Sequence, residues 1–339
     1  MKKNKVLHLG FHDGCATDVK YVVETLGYDF THMRFNDGVT DDGKIYNVSR
    51  EIANNAWNKY KDFYNSFDII ITSDTAPISR TFLQNNFEKK LIIWVCNRFD
   101  WLNPDSYDGT FPDQEYYQLI ESISRRKNVN IFSYTEFEHL YAAAKNIFVW
   151  NETIKPVGAM GIIECEVDRR FAKNRVPEGV IKEDSVLIPP YQNDTKYINT
   201  SQHLNAIGVK NYQGPYGGPK DIIGFKGIVH IPYAWSNLAL FENLNLELVY
   251  FIPSLSFFRE LCAKHGFFWS WPQMVWSMST ISEWYNEKNK DLFVYFDSWD
   301  DLKEKIETTD YKGKKRYIKK FMKNHIKEMF EKWRIALEC

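Results

Sequence analysis

The sequence has no apolar run of about 18 residues or more, the length at which a membrane-spanning helix becomes a candidate. Its basic start, residues 1–5, leads into a short strand-like segment and not into the apolar core of a signal peptide. We therefore expect a cytoplasmic protein without a transmembrane segment.

Cysteine is scarce and widely spaced. The five cysteines are Cys15, Cys96, Cys165, Cys262 and Cys339. Their number is odd and no C-x-x-C pair occurs, whereas disulfide frameworks and zinc sites use closely spaced or paired cysteines. The pattern favours reduced thiols, which are usual in the cytosol.

Neither sign of charge is in excess. The 43 Lys and Arg residues are balanced by 44 Asp and Glu residues, so the net charge is −1. Dedicated binding to nucleic acid or to an anionic membrane is typical of a clear basic excess. The net charge therefore predicts that nucleic acid is not a partner.

Two phosphate-binding motifs are missing. Gly10 and Gly14 follow the first predicted strand, but their spacing is not that of G-x-G-x-x-G, so a dinucleotide site there is poorly supported. The glycine-rich loop at residues 214–219 lacks the G-x-x-x-x-G-K-[ST] pattern of nucleoside triphosphatases. That loop is predicted to be a turn or a wall of a nucleotide pocket.

What the chain does contain is enough material for about two domains. It has 339 residues, of which 44% are hydrophobic and 16% aromatic, and domains of 100–200 residues are usual. Aromatic side chains fill cores, but they also stack on sugars and bases. A two-domain protein with a sugar or nucleotide ligand fits this composition.

The first 150 residues alternate between strand-like and helix-like segments, which predicts a doubly wound parallel sheet. Apolar runs predict strands at residues 5–10, 28–34, 67–72, 90–96 and 130–133. Helices are predicted at residues 19–26, 48–67, 78–85, 114–124 and 136–144.

Polar side chains follow three of these strands. They are His12 and Asp13, Ser73 and Asp74, and Asn97, Arg98 and Asp100. Any one could be a turn residue or a surface ion pair. Because ligands of open α/β sheets bind at the carboxyl ends of the strands, we expect the three groups to line one rim, with Asp74, Arg98 and Asp100 binding an acceptor.

The second half repeats the alternation after an irregular stretch rich in Pro and Gly, residues 151–184, which predicts an interdomain crossing. Strands are expected at residues 185–188, 209–212, 228–231, 248–252 and 291–296, with helices from 201 and at 298–308. We predict domains at 1–165 and 180–310, then a basic amphipathic helix at 311–339. We favour a helix that packs on the protein and exposes its Lys residues to solvent over a patch that binds nucleic acid or a membrane.

The most informative segment, residues 227–254, has the sequence GIVHIPYAWSNLALFENLNLELVYFIPS. Pro232 ends a buried strand, and Ser236 stands where a helix N-cap belongs, with Asn237 beside it. A helix N-terminus favours phosphate, and Glu242 further along would accept hydrogen bonds from sugar hydroxyls. The alternatives are a plain cap and a solvated carboxylate.

This segment resembles the sugar-nucleotide-binding segment of GT-B glycosyltransferases. The resemblance rests on P-Y-A-W-S-N and F-E-N-L. It implies two Rossmann-like domains facing a cleft, with the last helix crossing back to the first domain. It also implies a UDP- or GDP-linked sugar donor and a glycan acceptor. The diphosphate would lie near Ser236 and Asn237 and the ribose at Glu242. The pocket walls would be Tyr191, Tyr216, Gly217 and Tyr233.

The same resemblance sets expectations for the chemistry. Retaining members place a second acid eight residues before Glu242, where this chain has Ala234, so inversion is expected. The first βα turn of similar inverting enzymes holds an Asp or His as the general base, which points to Asp13 first and His12 next. No D-x-D occurs, so neither a catalytic metal nor a cofactor is expected.

Three other functions stay open. A non-catalytic sugar-nucleotide or glycan-binding protein would keep Ser236 and Glu242 and need no base. An epimerase of related architecture would act on the free nucleotide sugar. A glycosyltransferase acting on modified DNA is the third, and the near-zero net charge does not support it.

Overall fold

The computed structural model describes residues 3–35, 48–100, 113–163, 175–190, 198–265 and 272–338, with the backbone alone for 272–274. The chain divides into two compact units. The first comprises Met1–Val157 and Lys327–Cys339, and the second comprises Gly158–Ile326. The division therefore falls within the stretch rich in Pro and Gly where a crossing is predicted.

The first unit is a parallel sheet with helices between its strands. Its elements are β1 (Lys5–Gly10), α1 (Asp13–Thr25), β2 (Asp29–Arg34), α2 (Arg50–Asn65), β3 (Ile69–Thr72), α3 (Arg80–Leu83), β4 (Lys90–Val95), α4 (Gln114–Glu121), β5 (Val129–Ser133), α5 (Glu136–Ala143) and β6 (Glu152–Thr153). The strand order is β2-β1-β3-β4-β5-β6, with every pairing parallel.

The second unit has its own parallel sheet. Its elements are α6 (Ala159–Ile162), β7 (Val186–Ile188), α7 (Thr200–Ala206), β8 (Asn211–Gln213), β9 (Ile228–Val229), α8 (Leu238–Asn245), β10 (Tyr250–Pro253), α9 (Leu255–Lys264), α10 (Pro272–Ser277), β11 (Phe293–Phe296), α11 (Trp299–Thr308) and α12 (Tyr311–Glu338). The order is β11-β10-β9-β7-β8. The two separate α/β sheets confirm the predicted fold class.

The inner strands are buried on both faces, which explains why they are continuous apolar runs. All four residues of β3 are buried, and so are five of the six in β4. Ile70, Ile93 and Ile131 belong to the main core of the first unit, where large aromatic side chains from the helices cover them. The core therefore holds the carboxyl ends of these strands in fixed positions.

The first helix differs from its prediction. It begins at Asp13 and not at residue 19, because Gly14, Cys15 and Ala16 are small enough to be buried against the sheet. His12 is thus the N-cap residue, and the connection from β1 is very short. This places His12 and Asp13 directly above the end of β1.

The last helix, α12, begins in the second unit and ends in the first. In the first unit, the Trp333 ring lies 5.6 Å from that of Trp94, and Lys332 Nζ donates to the Thr153 carbonyl at 2.9 Å. No helix among the described residues combines the length and apolar character needed to cross a bilayer.

Candidate functional site

The polar turn after β1 is held from the neighbouring strand by Asp74. Its Oδ2 accepts hydrogen bonds from the N–H groups of Phe11 at 2.7 Å and His12 at 2.9 Å. Asp74 has φ +73°, a left-handed conformation that Asp tolerates better than most residues. A Cβ on Gly10 would lie 2.9 Å from this carboxylate oxygen, so a larger residue there would displace the Asp74 side chain. Asp74 therefore positions the backbone that presents His12.

His12 shares a small cluster with two groups from neighbouring elements. One ligand atom each of His12, Cys15 and Asp74 lies within 4.8 Å of the others. The hydrogen bond with Cys15, together with the charges of Asp74 and Asp13, raises the pKa of His12 to about 9 against the opposing effect of burial. The Cys15 thiol pKa is raised well above its usual value by its hydrogen bond with Cys96 and by burial. Burial and Cys96 thus favour the neutral form of the Cys15 thiol, whereas the neighbouring carboxylates favour the imidazolium form of His12.

The same cluster combines His, Cys and Asp, which are residue types that bind transition metals. Burial and Cys96 raise the pKa of the Cys15 thiol, and a bound metal would lower it again because a coordinating cysteine is a thiolate. One oxygen of Asp74 already accepts two backbone N–H groups. This oxygen is therefore already engaged in holding the turn, and the expectation of a metal-independent reaction stays a prediction.

Asp13, the first candidate base, lies beside a cation. Arg34 Nη2 donates to Asp13 Oδ1 at 2.8 Å and to the Phe11 carbonyl at 3.2 Å. Both side chains of the ion pair are more than a third exposed. No local sequence pattern pointed to Arg34, because this residue lies at the end of β2 and approaches Asp13 through the pairing of β1 with β2.

Of the three predicted acceptor residues, Asp74 contacts this turn directly. Asp100 is buried, and its carboxylate accepts from Tyr117 Oη at 2.7 Å, from Tyr141 Oη at 3.0 Å and from Lys145 Nζ. The Arg98 guanidinium carbon lies 5.9 Å from the centre of the Tyr141 ring. These contacts commit Asp100 to a structural network, and acceptor binding by Arg98 and Asp100 stays a prediction.

In the second unit, the predicted phosphate-binding helix is α8, with one correction. Its N-cap is Asn237 and not Ser236: Asn237 Oδ1 accepts from the Leu240 N–H at 2.7 Å. Ser236 is the buried residue before the cap. The capping chemistry thus lies one residue later than the sequence spacing predicts, because Asn237 has the extended backbone of a cap residue.

Glu242 is buried, with 8% of its surface exposed, so the alternative of a solvated carboxylate is wrong. Three predicted donor residues interact electrostatically with Tyr250. Burial raises the pKa of the Tyr250 hydroxyl, and the nearby Tyr216, Glu242 and Tyr233 act in the same direction. Asn243 Nδ2 also donates to Tyr250 Oη at 2.7 Å. The fold therefore brings the predicted ribose-binding acid together with two predicted pocket tyrosines.

A buried histidine that the sequence analysis did not single out lies beside this group. The His230 ring is 5.8 Å from that of Tyr233, 6.1 Å from Tyr250 and 4.3 Å from Trp284. Burial lowers its pKa to about 3, so the imidazole is neutral at physiological pH. The sequence signal that could have identified His230 is its position after a predicted strand and before the turn that leads to α8.

The glycine-rich loop is held by a carboxylate. Asp221 Oδ2 accepts from the N–H of Gly217 and from that of Val176, both at 2.8 Å. Lys182 Nζ donates to the Asp221 carbonyl. The Gly217 N–H is therefore engaged within the protein, and a donor-binding role for Gly217 stays a prediction. Tyr191 lies outside the described residues.

Two glycines allow α6 to approach the backbone of α8 closely. Gly158 has φ +72°, and a Cβ there would lie 2.5 Å from the Phe241 carbonyl oxygen. A Cβ on Gly161 would overlap the carbonyl oxygen of Glu242. Asn245 Nδ2 donates to the Gly158 carbonyl at 2.9 Å. This close packing sets the position of the turn that carries Glu242.

Gly161→Ala is therefore expected to lower the free energy of unfolding by about 1–3 kcal/mol, because an added methyl group overpacks a tight contact. Urea denaturation measures the loss. Gly179→Ala is the matched control, since a Cβ there meets nothing within 4 Å. Equal stability of the two variants would show that α6 does not constrain α8.

Comparison with known proteins shows the fold. No protein-family model and no curated protein matches the sequence. The structure is similar to the kitacinnamycin glycotransferase, with a TM-score of 0.50, 8% identity, and 99% of this chain and 98% of that chain covered. It is also similar to the calicheamicin glycosyltransferase CalG4 (TM-score 0.46, 8% identity, 99% of each chain). A third similar structure is the UDP-GlcNAc 2-epimerase of Methanocaldococcus jannaschii, with a TM-score of 0.45, 10% identity, and 91% of this chain and 94% of that chain covered. At such low identity the likeness to the kitacinnamycin enzyme concerns the fold alone: this chain has the GT-B fold, built from two Rossmann-like units.

Proposed function

We propose that the protein is a glycosyltransferase that moves a sugar from a nucleoside-diphosphate sugar to a hydroxyl group of a glycan or glycoconjugate, with inversion and without a metal. The observation that supports it best is the burial of Glu242, one turn inside α8, beside Tyr216, Tyr233 and Tyr250. In the proposal, the carboxylate of Glu242 accepts hydrogen bonds from the ribose hydroxyls of the donor.

The donor half of the proposal uses the start of α8. The first N–H groups of a helix have no partner within it, and the helix dipole favours a negative charge there. Asn237 caps one of them, that of Leu240. In the proposal, the remaining N–H groups and Ser236 hold the diphosphate and stabilise the charge that develops on the leaving group.

The acceptor half uses the turn after β1. Asp13 or His12 takes the proton of the acceptor hydroxyl as its oxygen attacks the anomeric carbon, and the bond to the nucleoside diphosphate breaks. Direct displacement inverts the anomeric configuration. Arg34 and Asp74 are positioning residues in this scheme, because they hold the carboxylate of Asp13 and the backbone of His12.

The first test is a thermal-shift screen of UDP- and GDP-linked sugars, followed by a transfer assay with the sugar that stabilises the protein most. A ligand at 100 times its Kd is expected to add about 2.7 kcal/mol of stability. Isomerisation of the free nucleotide sugar without acceptor would favour an epimerase. Binding with neither hydrolysis nor transfer would favour a non-catalytic binding protein, and no stabilisation by any nucleotide sugar would overturn the proposal.

A further inference from the structure

One segment of the chain has a large local excess of positive charge. Residues 311–327 contain eight Lys and Arg residues and no Asp or Glu. Since the whole chain has a net charge of −1, the rest of it carries −9. The near-zero net charge of the chain is thus the sum of a strongly cationic segment and an acidic rest of the chain.

The structure places most of this charge on one side of α12. The exposed cations in the second unit, hereafter the cationic face, are Lys312, Lys315, Arg316, Lys319, Lys320 and Lys323. At 3.6 residues per turn and 1.5 Å per residue, they cover an arc of about 140° and a length of about 17 Å. They form a continuous stripe along the helix.

The opposite side of the helix is bound to the protein. Ile318 and Met322 are buried. Lys314 Nζ reaches the carbonyl oxygens of Asp291 at 2.9 Å and Phe293 at 3.2 Å. The helix is therefore fixed in orientation, and its cationic face points away from the core.

Little of this charge is neutralised by the chain itself. Lys319 Nζ forms an ion pair with Glu247 at 3.1 Å. Within the described ranges, the other five cations of the face have no carboxylate at ion-pair distance. Clustered like charges repel one another, so a polyanionic partner would gain affinity by relieving this repulsion.

We propose that the cationic face binds the phosphate backbone of a nucleic-acid duplex without reading its sequence. An α-helix with its side chains is about 10–12 Å wide and a DNA major groove about 12 Å. If α12 lies in the major groove, the cations on its two sides face the phosphates of the two DNA strands. Binding that rests on Lys and Arg contacts to phosphates is independent of sequence and strongly dependent on salt.

An anionic membrane suits this surface less well. Interfacial helices insert an apolar face into the lipid, but the apolar residues of this segment, Ile318 and Met322, are inside the protein. A flat membrane surface would also contact the cations in the middle of the 140° arc better than those at its two edges. The expectation that nucleic acid is not a partner came from net charge, which does not describe this face. The inference does not depend on sugar transfer.

The test compares two variants that lose the same charge. The first is Lys315→Gln, Arg316→Gln, Lys320→Gln and Lys323→Gln combined. The matched control is Lys61→Gln, Arg125→Gln, Lys127→Gln and Lys288→Gln combined, all exposed positions elsewhere. Anisotropy of a fluorescent duplex of about 20 base pairs measures affinity from about 50 to 200 mM salt.

For the wild type, six phosphate contacts predict a slope of log K against log salt of about −5, falling to about −2 when two cations remain. We expect at least tenfold weaker binding by the first variant at low salt and no such loss in the control. Circular dichroism checks that α12 is retained. Equal binding by the two variants would overturn the proposal, as would binding to phosphatidylglycerol vesicles in the absence of duplex binding.

Discussion

Replacing Asp13 with Asn is expected to slow sugar transfer by about 10²–10⁴-fold while the affinity for the donor is retained. Asn keeps the size of the side chain and removes its basicity. In the proposal the donor is bound by the second unit, so its affinity does not depend on Asp13. His12→Asn is the companion variant. Transfer rates under saturating donor, with donor affinity from calorimetry, measure both effects.

The pH profile separates the two candidate bases. A base acts only when unprotonated, and the pKa of His12 is raised to about 9 by Cys15, Asp74 and Asp13. If His12 is the base, kcat/KM rises with pH up to about 9. In that case Asp74→Asn moves the rise to lower pH, because a carboxylate that favours the imidazolium is lost. If Asp13 is the base, the profile has no rise near pH 9 that depends on His12.

Two outcomes contradict the assignment of the base to this turn. Near wild-type transfer by both Asp13→Asn and His12→Asn would leave the turn a structural role and direct attention to Asp74 and Asp100. A product with retained anomeric configuration, seen by NMR, would exclude direct displacement altogether. It would show that Ala234, which stands where retaining enzymes place an acid, is a misleading guide in this chain.

Glu242→Gln is expected to weaken donor binding by about 1.5–3 kcal/mol, the usual contribution of a hydrogen bond to a charged group. A neutral amide offers one acceptor oxygen in place of two and accepts more weakly from ribose hydroxyls. Calorimetry with UDP and GDP measures the change, and acceptor binding should be unaffected.

Because Glu242 is buried, the melting temperature of this variant must be measured alongside its affinity. Glu260→Gln is the matched control, since Glu260 is an exposed residue of α9 in an i,i+4 ion pair with Lys264. An unchanged nucleotide affinity in a folded Glu242→Gln variant would place the nucleotide elsewhere. The buried carboxylate would then be a structural group.

Local patterns determined much of the fold. The strand at Lys5–Gly10 matches its prediction residue for residue, because a continuous apolar run next to turn residues is a local signal. Ser298 caps α11 as predicted, and its Oγ accepts from the Asp301 N–H at 3.1 Å. Parallel pairing followed from the alternation of strands and helices. The start of α1 was missed because Gly14 is a residue type typical of turns, whereas in the structure it is buried within the first turn of the helix.

Only the tertiary structure decided how the candidate site is arranged. Asp74 and the turn it holds are 62 and 63 residues apart, and Asp100 and Lys145 are 45 apart. No sequence pattern encodes contacts that arise from the order of strands in a sheet. The burial of Glu242 likewise could be known only from the structure, and it excludes the interpretation of this residue as a solvated carboxylate. The amphipathic pattern of α12 was visible in the sequence, but packing decided that Ile318 and Met322 lie inside and left the six cations on one exposed face.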